Sequence, residues 1–183
     1  MSGPQFPPAR RYGRARAARQ VLSMDTERAR CCCFTGHRPE KLHLPEAELR
    51  PALRREIATA IADGYTTFIC GMARGVDVYA AEEVLLAAEQ HPQVRLICAF
   101  PYRDSCESFS EPWRSRCRAI AQRADLRVDV CDEYQSGCYH LRNSWMLKRA
   151  SRLISVYDGT PGGTRNTMLS ALRHGLDVRT IMI

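Results

Sequence analysis

ICGMARGVD, Ile69 to Asp77, and YDGTPGGTRNT, Tyr157 to Thr167, each join an apolar run of strand character to a run of helical character. A glycine-rich turn in that setting lets the backbone approach an anion closely. The helix that follows it offers unpaired N–H groups and a partial positive charge. The two stretches therefore predict an α/β sheet that carries a phosphate cradle, and with it a nucleotide-like ligand.

Outward from these turns the alternation continues. CCCFT (31–35) is a short apolar run ended by Gly36, and Leu49, Leu53, Ile57 and Ile61 then recur every four residues along a helix predicted from about Glu46 to Asp63. TTFIC (66–70) leads through the first glycine turn into VDVYAAEEVLLAAEQ, where Val76, Tyr79, Ala80, Val84 and Ala87 share a face. VRLICAF (94–100) reads as a third strand stopped by Pro101, and SEPWRSRCRAIAQRA as a helix with Ser110 as its cap and Pro112 in its first turn. LRVDV (126–130), a helix over 139–150, RLISVY (152–157), the second glycine turn with TRNTMLSALRH, and DVRTIMI complete the pattern. Near-continuous apolar strands separated by helices predict a mostly parallel sheet of five to six strands covered on both faces, a three-layer α/β sandwich with right-handed crossovers. Ligands of such sheets bind beyond the carboxyl ends of the strands. TGHRP, CGMARGVD, FPYRDS and YDGTPGGT all follow strands, so four loops converge on one edge.

At 183 residues, 45% hydrophobic and 26% charged, the chain has material for one domain with a substantial core. The net charge of +7 is concentrated: residues 1–30 hold seven arginines against Asp25 and Glu27, a balance of +5 that leaves +2 for residues 31–183. The first 23 residues mix Pro, Gly and Arg without an apolar period and are expected to form a disordered arm within residues 1–30. Met24, just ahead of the first strand, is an alternative translation start. Arg10, Arg11, Arg14, Arg16 and Arg19 can contact phosphates, but such runs are more often simply solvated, and nucleic acid is the lesser expectation. No stretch approaches the roughly 18 apolar residues of a membrane span, and the N-terminus lacks the apolar core of a signal peptide, so a cytoplasmic protein is expected. The nine cysteines contain no C-x-x-C pair, and neither a metal nor a cofactor is expected.

The turns supply the candidate site residues. Gly162, Gly163 and Thr164 free backbone N–H groups to face a phosphate, Asn166 offers an amide that both donates and accepts, and Thr167 can instead satisfy the first helical turn. Gly71, Arg74 and Gly75 shape the other turn. Asp77 lies in the first turn of the next helix, where the dipole stabilises a carboxylate without any ligand. Such a carboxylate can equally accept two ribose hydroxyls. Gly36, His37 and Arg38 follow the first strand: the Arg38 fork suits a phosphate, and His37 suits an acid, a base or plain packing. Arg142 and Asn143 share a helix, with Asn143 expected to reach the edge. Asp158 follows the fifth strand and reads as a contact to a sugar or a bound metal, or as a turn-forming aspartate. Trp113 reads as a base-stacking ring or as core.

CGMARGVDVYAA (70–81) and PGGTRNT (161–167) resemble the Rossmann-like SLOG superfamily, which includes the DNA-processing protein DprA and the LOG phosphoribohydrolases. The YpsA-like family is similar throughout residues 31–183: TGHRP at Thr35 to Pro39, G-x-x-x-G-x-D at Gly71 to Asp77, Trp113, YHLRNSWML at Tyr139 to Leu147, and YDGTPGGTRNT. The resemblance implies a fold that binds a small nucleotide or an ADP-ribose-like molecule, and a homo-oligomer. In the phosphoribohydrolase branch a glutamate follows the glycine pair, and this chain has Leu169 in its place. Binding or sensing of a nucleotide is therefore the first expectation, with no catalytic residue assigned. A nucleotide N-glycosidic or phosphoribosyl hydrolase and a DprA-like DNA-handling protein are the alternatives.

Overall fold

The structure, a computed structural model, describes residues 28–183. Of the expected arm, residues 1–27 lie outside the described residues, and Arg28–Arg30 form a short 3-10 turn leading directly into the first strand. Six strands follow: β1 (Cys31–Thr35), β2 (Thr67–Cys70), β3 (Arg95–Tyr102), β4 (Leu126–Cys131), β5 (Arg152–Tyr157) and β6 (Asp177–Met182). Five helices lie between them: α1 (Glu46–Ala62), α2 (Val76–Gln90), α3 (Trp113–Arg123), α4 (Cys138–Arg149) and α5 (Gly163–Arg173). The sheet order is β4-β3-β2-β1-β5-β6, and every neighbouring pair is parallel. The sandwich is thus fully parallel rather than mostly so.

The period of two in β1 decides what each face holds. Cys32 and Phe34 join Leu49, Leu53 and Ile57 of α1, Val84 of α2 and Ile120 of α3 in one core, whereas Cys31 and Cys33 join Met146 and Leu147 of α4 and Ala171 of α5 in the other. The first three crossovers therefore lie on one face and the last two on the opposite face. The chain reverses direction across the sheet after β4, and β1 and β5 become neighbours at the switch point. A crevice is left beyond their carboxyl ends, and ligands of open parallel sheets bind in such a crevice.

Two local expectations are corrected. β3 does not stop at Pro101 but runs to Tyr102, because β2 has already ended opposite Cys98 and leaves that edge without a ladder for the proline to break. Ser110 does not cap α3 with its side chain. Its carbonyl accepts the Arg114 N–H, while the Glu111 carboxylate receives the Ser115 N–H at 3.2 Å. Trp113 packs beside Tyr79, ring centroids 5.6 Å apart, against the larger core and away from the crevice.

The end of α5 follows its sequence signature. Gly175, at φ 71°, lets the Leu176 N–H reach the Ala171 carbonyl and its own N–H reach Leu172. A Cβ there would meet nothing within 4 Å. Gly175→Ala consequently isolates the backbone cost of the left-handed conformation and lowers stability by about 1 kcal/mol. Urea unfolding should report it as a lower midpoint at an unchanged slope.

Candidate functional site

Beyond β1 and β5 lies a cleft of about 530 Å³, bounded by Gly36–Arg38 after β1, Ala73, Arg74 and Asp77 around the start of α2, Tyr139, His140, Arg142 and Asn143 on α4, and Gly162–Thr164 at the start of α5. It is built by close backbone approach. A Cβ on Gly36 would come 2.5 Å from Val76 Cβ, and one on Gly75, at φ 88°, would come 2.7 Å from the His37 carbonyl oxygen, which accepts the Val76 N–H. These glycines press the loop after β1 onto the start of α2. Gly75 thus acts through the backbone and does not itself line the cleft.

The floor holds a buried ion pair. Arg142 Nη1 lies 3.4 Å from Asp77 Oδ2, which also accepts the Ala73 N–H at 3.1 Å, and both residues are buried. Burial pushes the Asp77 carboxyl up against the opposing pull of Arg142, and burial draws the Arg142 guanidinium down against that of Asp77. A Cβ on Gly71 would overlap Arg142 Nη1 and lie 2.8 Å from Asp77 Oδ2, so that glycine makes room for the pair. Arg142 Nε is buried without a hydrogen-bond partner among the described residues, and such a donor is costly unless something accepts from it. Asp77 is therefore more than a dipole-stabilised carboxylate, and Arg142 more than the helical neighbour of Asn143.

At the opposite wall, α5 begins with Gly162 and Gly163 in open space. The Asn166 N–H is the first to find an intrahelical acceptor, Gly162 O at 3.0 Å, and the N–H groups of Gly163, Thr164 and Arg165 precede it without a backbone acceptor among the described residues. The Thr167 hydroxyl donates to the Gly163 carbonyl at 2.9 Å and receives the Asn143 amide at 3.0 Å, which ties α4 to the first turn of α5. Thr167 and Asn143 therefore hold the turn in place, and only Asn143 lines the cleft. Asn166 is exposed outside the lining.

His37 is buried and stacked on Tyr157, with Nε2 2.9 Å from Asp158 Oδ1 and 3.4 Å from the Asp158 N–H. Nε2 therefore faces both the backbone N–H and the carboxylate of Asp158. Asp158 Oδ1 also accepts the Thr160 N–H and hydroxyl at 2.8 and 2.7 Å. These two bonds first, and His37 after them, hold its carboxyl down to about 2. Asp158 is accordingly a turn-forming aspartate that orients His37, not a residue of the lining. Arg38 is exposed, its guanidinium 5.9 Å from the Tyr139 ring centroid, and Arg74 pairs with Glu40 at 2.7 Å. Four cationic side chains of the lining, Arg38, Lys41, Arg74 and Arg142, face two carboxylates, Glu40 and Asp77, so the cleft favours an anion.

Tyr139 and Arg142 line the cleft although neither is among the candidates that the glycine turns supply. The usable signal was their spacing, since Tyr139, Arg142, Asn143 and Met146 fall on one helical face. Among the described residues no group of three His, Cys, Asp or Glu side chains is placed to hold a metal ion, and no helix is long and apolar enough to cross a membrane.

Comparison with known proteins agrees with this architecture. The chain is similar to a UPF0398 protein of Bacillus cereus (strain B4264), 28% identical over 151 residues that cover 77% of this chain and 82% of the relative. Its fold is similar to that of DNA processing protein A from Helicobacter pylori, described for its single-stranded DNA binding mode, with a TM-score of 0.59 and 18% identity over 86% of this chain and 67% of that one. It is also similar to DNA processing protein A (DprA) from Streptococcus pneumoniae, with a TM-score of 0.57 and 14% identity over 87% of this chain, which spans about half (52%) of that protein. The model of the YspA SLOG family (YpsA) matches residues 32–179, a span that includes β1 but for its first residue, β2 to β5 entire, the first half of β6 and every loop of the cleft. The chain belongs to the YpsA family of the SLOG superfamily.

Proposed function

We propose that the cleft binds a nucleotide-derived anion, with a phosphate on the amides that open α5 and the sugar beside Asp77 and Arg142. The observation that carries this reading is two features of one cleft: the N–H groups of Gly163 and Thr164 in its lining, with that of Arg165 next to them, have no backbone acceptor, and Arg142 in its floor has a buried Nε with no partner among the described residues. Helix N-termini favour phosphate through both their amides and their dipole. Binding of a signal or metabolite suits the cleft better than hydrolysis. Leu169 stands where the related hydrolases carry glutamate and is 43% exposed outside the lining, Glu40 is tied to Arg74, and Asp77 to Arg142. The test is thermal stabilisation by nucleoside monophosphates, NAD and ADP-ribose, run beside an assay for released base. A ligand at about 100 times its Kd should stabilise the protein by about 2.7 kcal/mol with no free base appearing. Release of base would favour the hydrolase.

The likeness to DNA processing protein A supports a second reading, single-stranded DNA handling, in which a strand's phosphates use the same amides and the arginines of residues 1–30 add electrostatic attraction. That reading predicts salt-sensitive retention of single-stranded DNA, weakened when the protein begins at Met24.

A further inference from the structure

The cleft has a neighbour. A second compartment of about 340 Å³ lies across a ridge formed by Arg38, Ala73, Arg74 and Tyr139, residues that line both spaces. Its far wall is the end of β3 and the turn after it, Pro101 to Ser110. The two spaces differ in chemistry. No carboxylate lines the second one, which presents the rings of Phe109 and Tyr139 together with the hydroxyls of Ser105, Ser108 and Ser110. Ser108 is occupied, donating to the Ser105 carbonyl at 2.8 Å. The loops around it are also where the backbone is strained: Met72 (φ 58°) and Asp104 (φ 57°) are the two non-glycine residues in the left-handed region among the described residues. Such conformations persist where the surroundings fix them, and they gather at ligand sites.

We infer that this compartment receives the ring of the ligand, a nucleobase, while its sugar phosphate crosses the ridge to α5. The inference deepens the nucleotide reading and rests on it. Small-ligand sites occupy about 300–1,000 Å³ and combine apolar walls with a few polar groups, and a flat ring with hydrogen-bonding edges matches aromatic faces flanked by hydroxyls. A bare phosphate uses neither. Arg38, beside Tyr139 on the ridge, is placed to meet the charge of a phosphate ester that spans the two spaces.

Calorimetry with ribose 5-phosphate and with the four common ribonucleoside monophosphates separates the claims. Base stacking on an aromatic ring contributes about 1–3 kcal/mol, so the preferred monophosphate should bind on the order of tenfold more tightly than ribose 5-phosphate. Ser110 is exposed at the rim, and Ser110→Trp fills the compartment while keeping the carbonyl that Arg114 uses. This variant should lose the tenfold advantage and still bind ribose 5-phosphate within about twofold of the parent. Tyr139→Leu should lose most of the advantage by removing one ring. If ribose 5-phosphate binds the parent as well as every monophosphate does, or if both variants keep the advantage, the ring subsite is wrong and the phosphate site stands. If no phosphate ester binds at all, both proposals fall.

Discussion

Asp77→Ala should destabilise the protein by about 3 kcal/mol, and by more than Arg142→Met does. Removing the carboxylate leaves a guanidinium buried to 5% exposure with no counter-charge, and arginine has no accessible neutral form. Removing the arginine leaves a carboxyl that burial already pushes upward, and a carboxyl can take a proton. The asymmetry has a signature in pH. A carboxyl raised in the folded state favours folding below the ordinary aspartate range, and that contribution is lost as the pH rises through its folded value. In Arg142→Met the lowering influence of the arginine is gone, so the deficit against the parent should be small near about pH 4 and should widen toward neutrality. The deficit of Asp77→Ala has no such carboxyl to relieve it. Urea midpoints measured across that range decide the matter: equal deficits at every pH would mean that the pair is not the charge-compensating contact its geometry indicates.

The second large effect is on binding. Gly163→Asp sets a carboxylate where the phosphate is proposed to lie, and with nothing within 4 Å of a Cβ there the substitution fits without a clash. At the first turn of an 11-residue helix an aspartate interacts favourably with the dipole by about 0.3–1 kcal/mol, so the melting temperature should hold or rise. Affinity for the phosphate ester should nevertheless fall by about 100-fold, on the order of 3 kcal/mol, the loss of one to two charge-assisted hydrogen bonds. Gly163→Ala, neutral and equally open, should bind within a few fold of the parent. Opposite movement of stability and affinity in one variant distinguishes a blocked phosphate site from a damaged fold.

Most of the architecture was legible because strand and helix periods are local. Cys31 to Phe34 alternate between the two cores, and Leu49, Leu53 and Ile57 recur on one face of α1, as their spacing dictates. The glycine turns were legible for the same reason, since a tight turn between strand and helix depends on adjacent residues. What the sequence hid depends on distant partners. Arg142 in isolation is a helical arginine. Its role comes from Asp77, 65 positions earlier, and from the missing side chain at Gly71. Asp158 reads from sequence as a ligand contact or a turn former alike, and it is His37, 121 positions earlier, and Thr160 that meet its Oδ1. The run of β3 through Pro101 depended on where β2 ends, which no local pattern encodes. The turn after β3 was legible only as far as FPYRDS, a polar cluster at the ligand edge, and the serines that follow gain their interest from lying across the ridge from the cleft.

The central claim concerns three backbone amides, and amide NMR reads them directly. On titration of the ¹⁵N-labelled protein with its preferred nucleoside monophosphate, the Gly163, Thr164 and Arg165 resonances should move most, together with the Arg142 Nε–H signal, and inorganic phosphate should move the same three amides in the same direction at higher concentration. Saturable binding that leaves those three amides unmoved while shifting others would contradict the account.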